Sequence, residues 1–338
     1  MKTIITHLTE GSAYNILQDI ATGFQRSQIL FSAVKIDLFT QIENGINTAD
    51  SISTTLNLNK DALVQLLDAL VALSLLEKHS GIYSNSALAA HHLIPNKEEF
   101  YGFLLHYANI WNSWGNLLNT VKSGRSSVFV PLTEKDDEFV DDYISAADWQ
   151  NKIEIQYILP EIRLQNAKKL LKIGASGFRY AMEIARLNPE IEVHIVDATN
   201  LLQVAEKRIL EEYDCQNIKF IDIDSIYDFF DTYYDIVFLD ATIEEYSVID
   251  NINRLREINT MLKKGGRLII HQQLINDCRT KPIASTFNSL TLLLNTPSGC
   301  AYTYSDVWVT LKEANFYDIS YVITSIHTHL ITATKSFI

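Results

Sequence analysis

The stretch Leu170-Leu171-Lys172-Ile173-Gly174-Ala175-Ser176-Gly177-Phe178 reads as a short buried strand, a glycine turn and the start of a helix. About twenty residues on, Glu192-Val193-His194-Ile195-Val196-Asp197 reads as a second strand ending in an acid. Strand, small-residue turn, helix and acid-terminated strand form the front half of a nucleotide-type site. The turn lets backbone approach a ligand, and the acid accepts from ribose hydroxyls.

Beyond Asn166 the α/β alternation continues. Strands are expected at Lys169–Ile173, Glu192–Asp197, Asn217–Asp222, Asp235–Asp240 and Arg267–Gln272. Helices are expected around Tyr180–Leu187, Leu201–Tyr213 and Val248–Leu262, with Lys263-Lys264-Gly265-Gly266 as a C-cap turn. This gives a parallel sheet covered by helices, with ligand across the C-terminal strand edges. Asp318–Thr324 and His329–Thr334 add an antiparallel hairpin at one edge.

The first hundred residues read differently. Apolar positions Ile16, Ile20, Phe24, Ile29, Leu30, Ala33, Val34 and Leu38 recur at helical spacing over Tyr14–Leu38. Asn47 or Thr48 caps a following helix, and Asn59 caps Lys60–Leu73. Leu75–His79 and Gly81–Ser84 then form a hairpin. Helix, turn, helix, hairpin is a winged-helix order. The candidate recognition helix, with Lys60, Asp61, Gln65 and Asp68, has no positive face for phosphates, which argues against DNA. The apolar surplus on Ile16–Leu38 fits a dimer interface better.

Between these parts, Phe100, Tyr101, Phe103, Tyr107, Trp111 and Trp114 are either helix core or an aromatic wall for a flat substrate. The acid-rich Thr133–Asp142 reads as a solvated linker. The expected division is 1–98 dimerisation domain, 99–165 helical connecting region, and 166–338 Rossmann-like domain.

The whole chain of 338 residues is long enough for two cored domains. Its 28 basic against 41 acidic residues argue against nucleic acid or an anionic membrane as a general partner. Cys215, Cys278 and Cys300 lie far apart without CxxC spacing, so neither a disulfide framework nor a zinc site is expected, and no metal. Met1–Ser12 lacks a signal layout and no apolar run spans a membrane, so a cytoplasmic location is expected.

In its motifs the chain resembles the class I S-adenosylmethionine-dependent small-molecule O-methyltransferases of the plant and bacterial natural-product type. The resemblance rests on Gly23-Phe24-Gln25-Arg26-Ser27, Ala33–Phe39, Leu66–Leu73, Tyr83-Ser84-Asn85-Ser86, Trp111 with Trp114, Asn188-Pro189, Leu262–Leu268, and Tyr302-Thr303 leading into Leu311–Phe316. It implies an N-terminal winged-helix dimerisation domain, a homodimer, S-adenosylmethionine as cofactor and a small hydroxylated, aromatic acceptor. It places Gly174 at the methionine end of the cofactor, Asp197 at the ribose, Asp222 and Ile223 at the adenine, and Asp240 where cofactor and acceptor meet. Without the resemblance, Asp197 and Asp240 read equally as acids ending strands near helix N-termini.

The chain also departs from the family pattern. Gly174-Ala175-Ser176-Gly177-Phe178 stands for Gly-Gly-Gly-x-Gly, and Phe178 is expected to narrow the pocket or shift the loop. Lys172 stands where the family has an acid near the ligand's ammonium. A like charge about 7 Å away costs roughly 2 kcal/mol at an effective dielectric of about 20, about thirtyfold in affinity. Asp240–Tyr246 lacks the family's histidine base, and its two supporting glutamates match His271 and Ala301. His271 is then the replacement base, with Glu244 second; His271 equally reads as a buried strand histidine. His327 and His329 lack a third ligand and read as structural. These departures leave open a repurposed enzyme on the same scaffold: a cyclase, hydrolase, decarboxylase or hydroxylase.

Overall fold

The computed structural model describes residues 10–95, 97, 99–214, 216–225, 233–324 and 328–336. Cys215, His327 and most of Met1–Ser12, on which sequence expectations were placed, lie outside them. Two compact units divide the chain, one ending at Ala108 and one beginning at Asn109. Residues 99–108 thus belong to the first unit and 109–165 to the second.

The first unit comprises α1 (Glu10–Lys35), α2 (Leu38–Glu43), α3 (Ala49–Thr55), α4 (Lys60–Ala72), the hairpin β1 (Leu76–His79) and β2 (Ile82–Asn85), α5 (Ala87–His92) and α6 (Phe103–Asn109). Thr48, not Asn47, is the α3 cap: its side chain accepts from Ser51 N in a capping box. Asn59 caps α4 by accepting from Ala62 N. Ser80 and Gly81 both take positive φ, which turns the hairpin in two residues. Ala33, Leu38, Phe39, Leu63, Leu67 and Leu70 fill one core. The first half of α1 contributes little to it: Tyr14, Leu17, Ile20 and Phe24 are each more than half exposed.

The second unit opens with α7 (Trp111–Gly115), α8 (Leu117–Ser123) and α9 (Asp137–Ile162). Then β3 (Lys169–Ile173), α10 (Phe178–Leu187), β4 (Glu192–Asp197), α11 (Thr199–Glu212), β5 (Ile218–Asp222), β6 (Tyr234–Asp240), α12 (Val248–Met261), β7 (Leu262–Gln273), α13 (Ile283–Asn295), α14 (Tyr304–Glu313), β8 (Phe316–Ile323) and β9 (Thr328–Lys335) follow. The sheet order is β5-β4-β3-β6-β7-β9-β8, parallel except for β9, which runs antiparallel to both neighbours. This is the expected Rossmann-like methyltransferase sheet with its antiparallel hairpin. Strand alternation divides the core in two. Leu170, Phe238 and Ile269 face α9, α10 and α11, whereas Leu171, Leu239 and Ile270 face α12 and α14.

Three local expectations are corrected. The acid-rich Thr133–Asp142 is no linker: Asp136 caps α9 by accepting from Phe139 N, and Asp142 is buried and accepts from Asn109. Its apolar residues Val140, Ile144, Ile158 and Ile162 keep helical spacing and carry it into the core. Lys263–Gly266 is not a helix C-cap: the strand already begins at Leu262, and these residues bulge between the pairs Tyr234↔Leu262 and Ile236↔Arg267. Phe178 does not narrow a pocket, because it opens α10 with its ring fully buried in the sheet core. Among the described residues, no helix is long and apolar enough to cross a membrane.

Candidate functional site

Asp222, Asp197, Gly174 and Asp240 stand at the C-terminal ends of four neighbouring strands, β5, β4, β3 and β6. Asp197 and Asp222 are direct partners in the parallel register. Asp197 accepts from the N–H groups of Ala175 (2.6 Å) and Ala198 (2.7 Å), one on each carboxylate oxygen. Each oxygen keeps a lone pair for a ligand hydroxyl. Burial pushes the Asp197 carboxyl upward, opposed by those two N–H groups and Lys172. Asp222 accepts from the Thr199 hydroxyl and from Asp224 N, which holds its carboxyl low, and Ile223 beside it is exposed.

The turn itself depends on glycine at two points. Gly174 has φ +96°, and a Cβ there would stand 3.1 Å from Thr242 Cγ2. At Gly177 a Cβ would come within 2.5 Å of Asp240 Oδ2 and 2.7 Å of Lys172 Nζ. The two glycines that remain are therefore the two that backbone and neighbours require.

Alternation places Lys172, Asp240 and His271 on the same face as Leu170, Phe238 and Ile269, as a polar row at its upper edge. Asp240 and His271 are register partners, and Nδ1 of His271 donates to Asp240 Oδ1 at 2.8 Å. On the other side, His271 Nε2 lies 3.2 Å from Oε2 of Glu154 on α9, close enough for an ion contact but off the hydrogen-bond line. Burial lowers the histidine's pKa, but the two carboxylates outweigh it and raise it to about 9. The two carboxylates thus favour the imidazolium, with Nδ1 hydrogen-bonded and Nε2 in ion contact only. Asp240 is pushed up by burial and pulled further down by His271 and Lys172. Lys172 is fully buried; its Nζ donates to the carbonyls of Ile173 (3.0 Å) and Gly174 (2.9 Å) and lies 5.5 Å from the Phe238 ring centre.

Glu244 lies in the short turn after β6, buried, and accepts from Gln272 Nε2 at 2.5 Å and Asn288 Nδ2 at 3.5 Å. Burial raises its carboxyl to about 8, with Glu245 and Asp240 adding to the rise. Asn288 is on α13, which packs against α7, the helix carrying the half-buried Trp111 and Trp114. Phe103 and Tyr107 lie in the first unit, stacked on each other at 5.4 Å. His329 is beside Tyr321 and held low by burial.

Sequence reasoning missed three residues of α9. Glu154 contacts His271, Asn151 donates to the Ser176 carbonyl at 3.4 Å, and Tyr143 is pushed up by burial beside Glu245, Asp197 and Asp240. The signal was the Asp136 cap followed by apolar residues at helical spacing. Among the described residues, no group of three His, Cys, Asp or Glu side chains could hold a metal ion.

This arrangement has known counterparts. Residues 18–94 match the O-methyltransferase dimerisation domain and residues 114–334 the O-methyltransferase domain. The 3-hydroxy-5-methyl-1-naphthoate 3-O-methyltransferase of Streptomyces sahachiroi is 24% identical over 88% of both chains. Among solved structures, PigF with SAH superposes with a TM-score of 0.87 at 21% identity, covering 97% of this chain and 100% of that one. Human N-acetylserotonin methyltransferase in complex with SAM gives 0.81 at 21% identity, covering 98% and 99%. With the strand-end acids, the glycine turn and nearly two-thirds of its length matched by the catalytic-domain family, the chain belongs to the O-methyltransferase family.

Proposed function

We propose that the chain transfers a methyl group from S-adenosylmethionine to an oxygen of a small hydroxylated, aromatic acceptor. The observation that carries this reading is the row of strand ends Asp222, Asp197, Gly174 and Asp240 leading towards Glu244. The adenosyl half of the cofactor fits: Ile223 offers an exposed apolar side chain for adenine, Asp197 keeps free lone pairs for ribose, and Gly174 leaves a cradle that a Cβ would fill. At the turn, the chain's own Lys172 already occupies the carbonyls. When bound, S-adenosylmethionine supplies an electrophilic methyl group, and the protein's task is in-line placement of the acceptor oxygen.

Glu244 is our choice of base. A carboxyl titrating near 8 takes a phenol proton far better than an ordinary carboxylate, and Glu244 accepts from Asn288 on α13, the helix that packs against the one carrying Trp111 and Trp114. We assign His271 a positioning role: as an imidazolium it holds Asp240 at the end of β6. Trp111 and Trp114 are proposed as the acceptor's aromatic surface. The exposed apolar side chains of α1, within the matched dimerisation domain, support a homodimer.

Incubation with methyl-labelled S-adenosylmethionine and a panel of hydroxylated arenes tests the reaction: labelled ether product is expected. Failure to bind S-adenosylmethionine or S-adenosylhomocysteine at millimolar concentration sinks the proposal. Lys172 favours a second reading, a non-methylating enzyme on the same scaffold, and labelled product from any acceptor rejects it.

A further inference from the structure

The adenosyl reading fixes the direction in which a ligand lies. With adenine at Asp222 and Ile223 on β5 and ribose at Asp197 on β4, the remainder must run over the end of β3 towards β6. It therefore passes Gly174. At that point the structure offers two backbone carbonyls, Ile173 and Gly174, and such a pair is a natural acceptor for an ammonium group.

These acceptors are already in use. The amine of Lys172 donates to both, at 3.0 and 2.9 Å, and is fully buried. Its position is closely fixed. Nζ and Asp240 Oδ2 both crowd the space above Gly177, and the Phe238 ring closes another side. Asp240, the nearby anion that could draw in a ligand cation, is itself engaged by His271 and faces Lys172.

We propose that Lys172 is a specificity residue of the adenosyl site, filling the turn's carbonyls so that the chain favours an adenosyl thioether whose tail ends in a carboxylate without an α-ammonium. A ligand ammonium arriving here meets carbonyls that already accept from Nζ, with a fully buried amine standing in the place it would take. A tail without an ammonium needs neither carbonyl.

The inference rests on the adenosyl reading, and the test separates the two. The full chain is titrated calorimetrically with S-adenosylhomocysteine and with its deaminated analogue, the adenosyl thioether of 4-mercaptobutanoate. The deaminated compound is expected to bind wild type at least about tenfold more tightly. In Lys172→Met the preference is expected to collapse to within about threefold, with S-adenosylhomocysteine gaining affinity. Equal or tighter binding of S-adenosylhomocysteine to wild type overturns the inference while leaving the adenosyl reading intact. An unchanged preference in Lys172→Met overturns it as well. Binding of neither compound at millimolar concentration removes the adenosyl reading and the inference together. If Lys172→Met does not fold, Lys172→Leu, which also lacks a donor, takes its place, and the wild-type comparison needs no variant.

Discussion

His271 and Asp240 lie side by side on β7 and β6, and Nδ1 of the one donates to Oδ1 of the other at 2.8 Å inside the sheet's edge. Glu154 faces the second ring nitrogen, so one imidazolium is shared by two buried carboxylates. Removing the cation in His271→Ala takes it from both, and leaves Asp240 with only the buried amine of Lys172 facing it. A loss of about 3–5 kcal/mol in urea unfolding at neutral pH is expected.

The same contact sets a pH dependence. His271 has its folded pKa raised from 6.5 to about 9, so its contribution to stability is complete below 6.5 and is lost as pH rises through about 9. Wild-type unfolding free energy should fall across that window, and the fall should be shallower in His271→Ala, most clearly above about pH 8 where Glu244 has finished titrating.

Glu244 gives a pH slope of the same sign but from a destabilised charge rather than a stabilised one. Its carboxyl is raised from 4.5 to about 8, so ionisation costs stability progressively between those pH values and the full penalty stands above them. Glu244→Gln is expected to raise the urea midpoint at about pH 8 and to leave it unchanged at about pH 4. If Glu244 is the base, the substitution also lowers kcat by about a hundredfold, and wild-type kcat rises with a midpoint near 8.

Arg179 on α10 donates to Asp148 on α9 and to Glu212 at the end of α11. The guanidinium and Asp148 are both buried, whereas Glu212 is exposed. Arg179→Met leaves Asp148 desolvated with only the exposed Lys152 near it, and should cost about 3–5 kcal/mol by denaturant unfolding. Glu212→Gln should cost less than about 1 kcal/mol, because solvent screens that arm.

On α1, Ile20 and Phe24 stand 73% and 56% exposed, four residues apart on one helix face. The double variant Ile20→Glu, Phe24→Glu is expected to halve the mass in analytical ultracentrifugation. It should leave the thermal unfolding of the second unit in place.

Much of this molecule follows from local pattern. The run Ile236–Leu239 is apolar without interruption, and Leu170–Ile173 and Val193–Val196 are broken only by Lys172 and His194, as suits strands buried on both faces; the acids Asp197, Asp222 and Asp240 end β4, β5 and β6. Asn59 and the Ser80-Gly81 turn likewise act within a few residues of themselves. Those features depend on neighbours in sequence, so the chain alone determines them, together with the family resemblance. The site's chemistry depends on partners far along the chain. Asp240 and Glu154 meet His271 from a different strand and from a helix whose site residues local reading missed. Lys172 was legible as a charge of unexpected sign just before the glycine turn. That it turns back onto the carbonyls of Ile173 and Gly174 was decided by the tertiary structure, because a buried amine must donate to whatever acceptors the packed sheet leaves within reach.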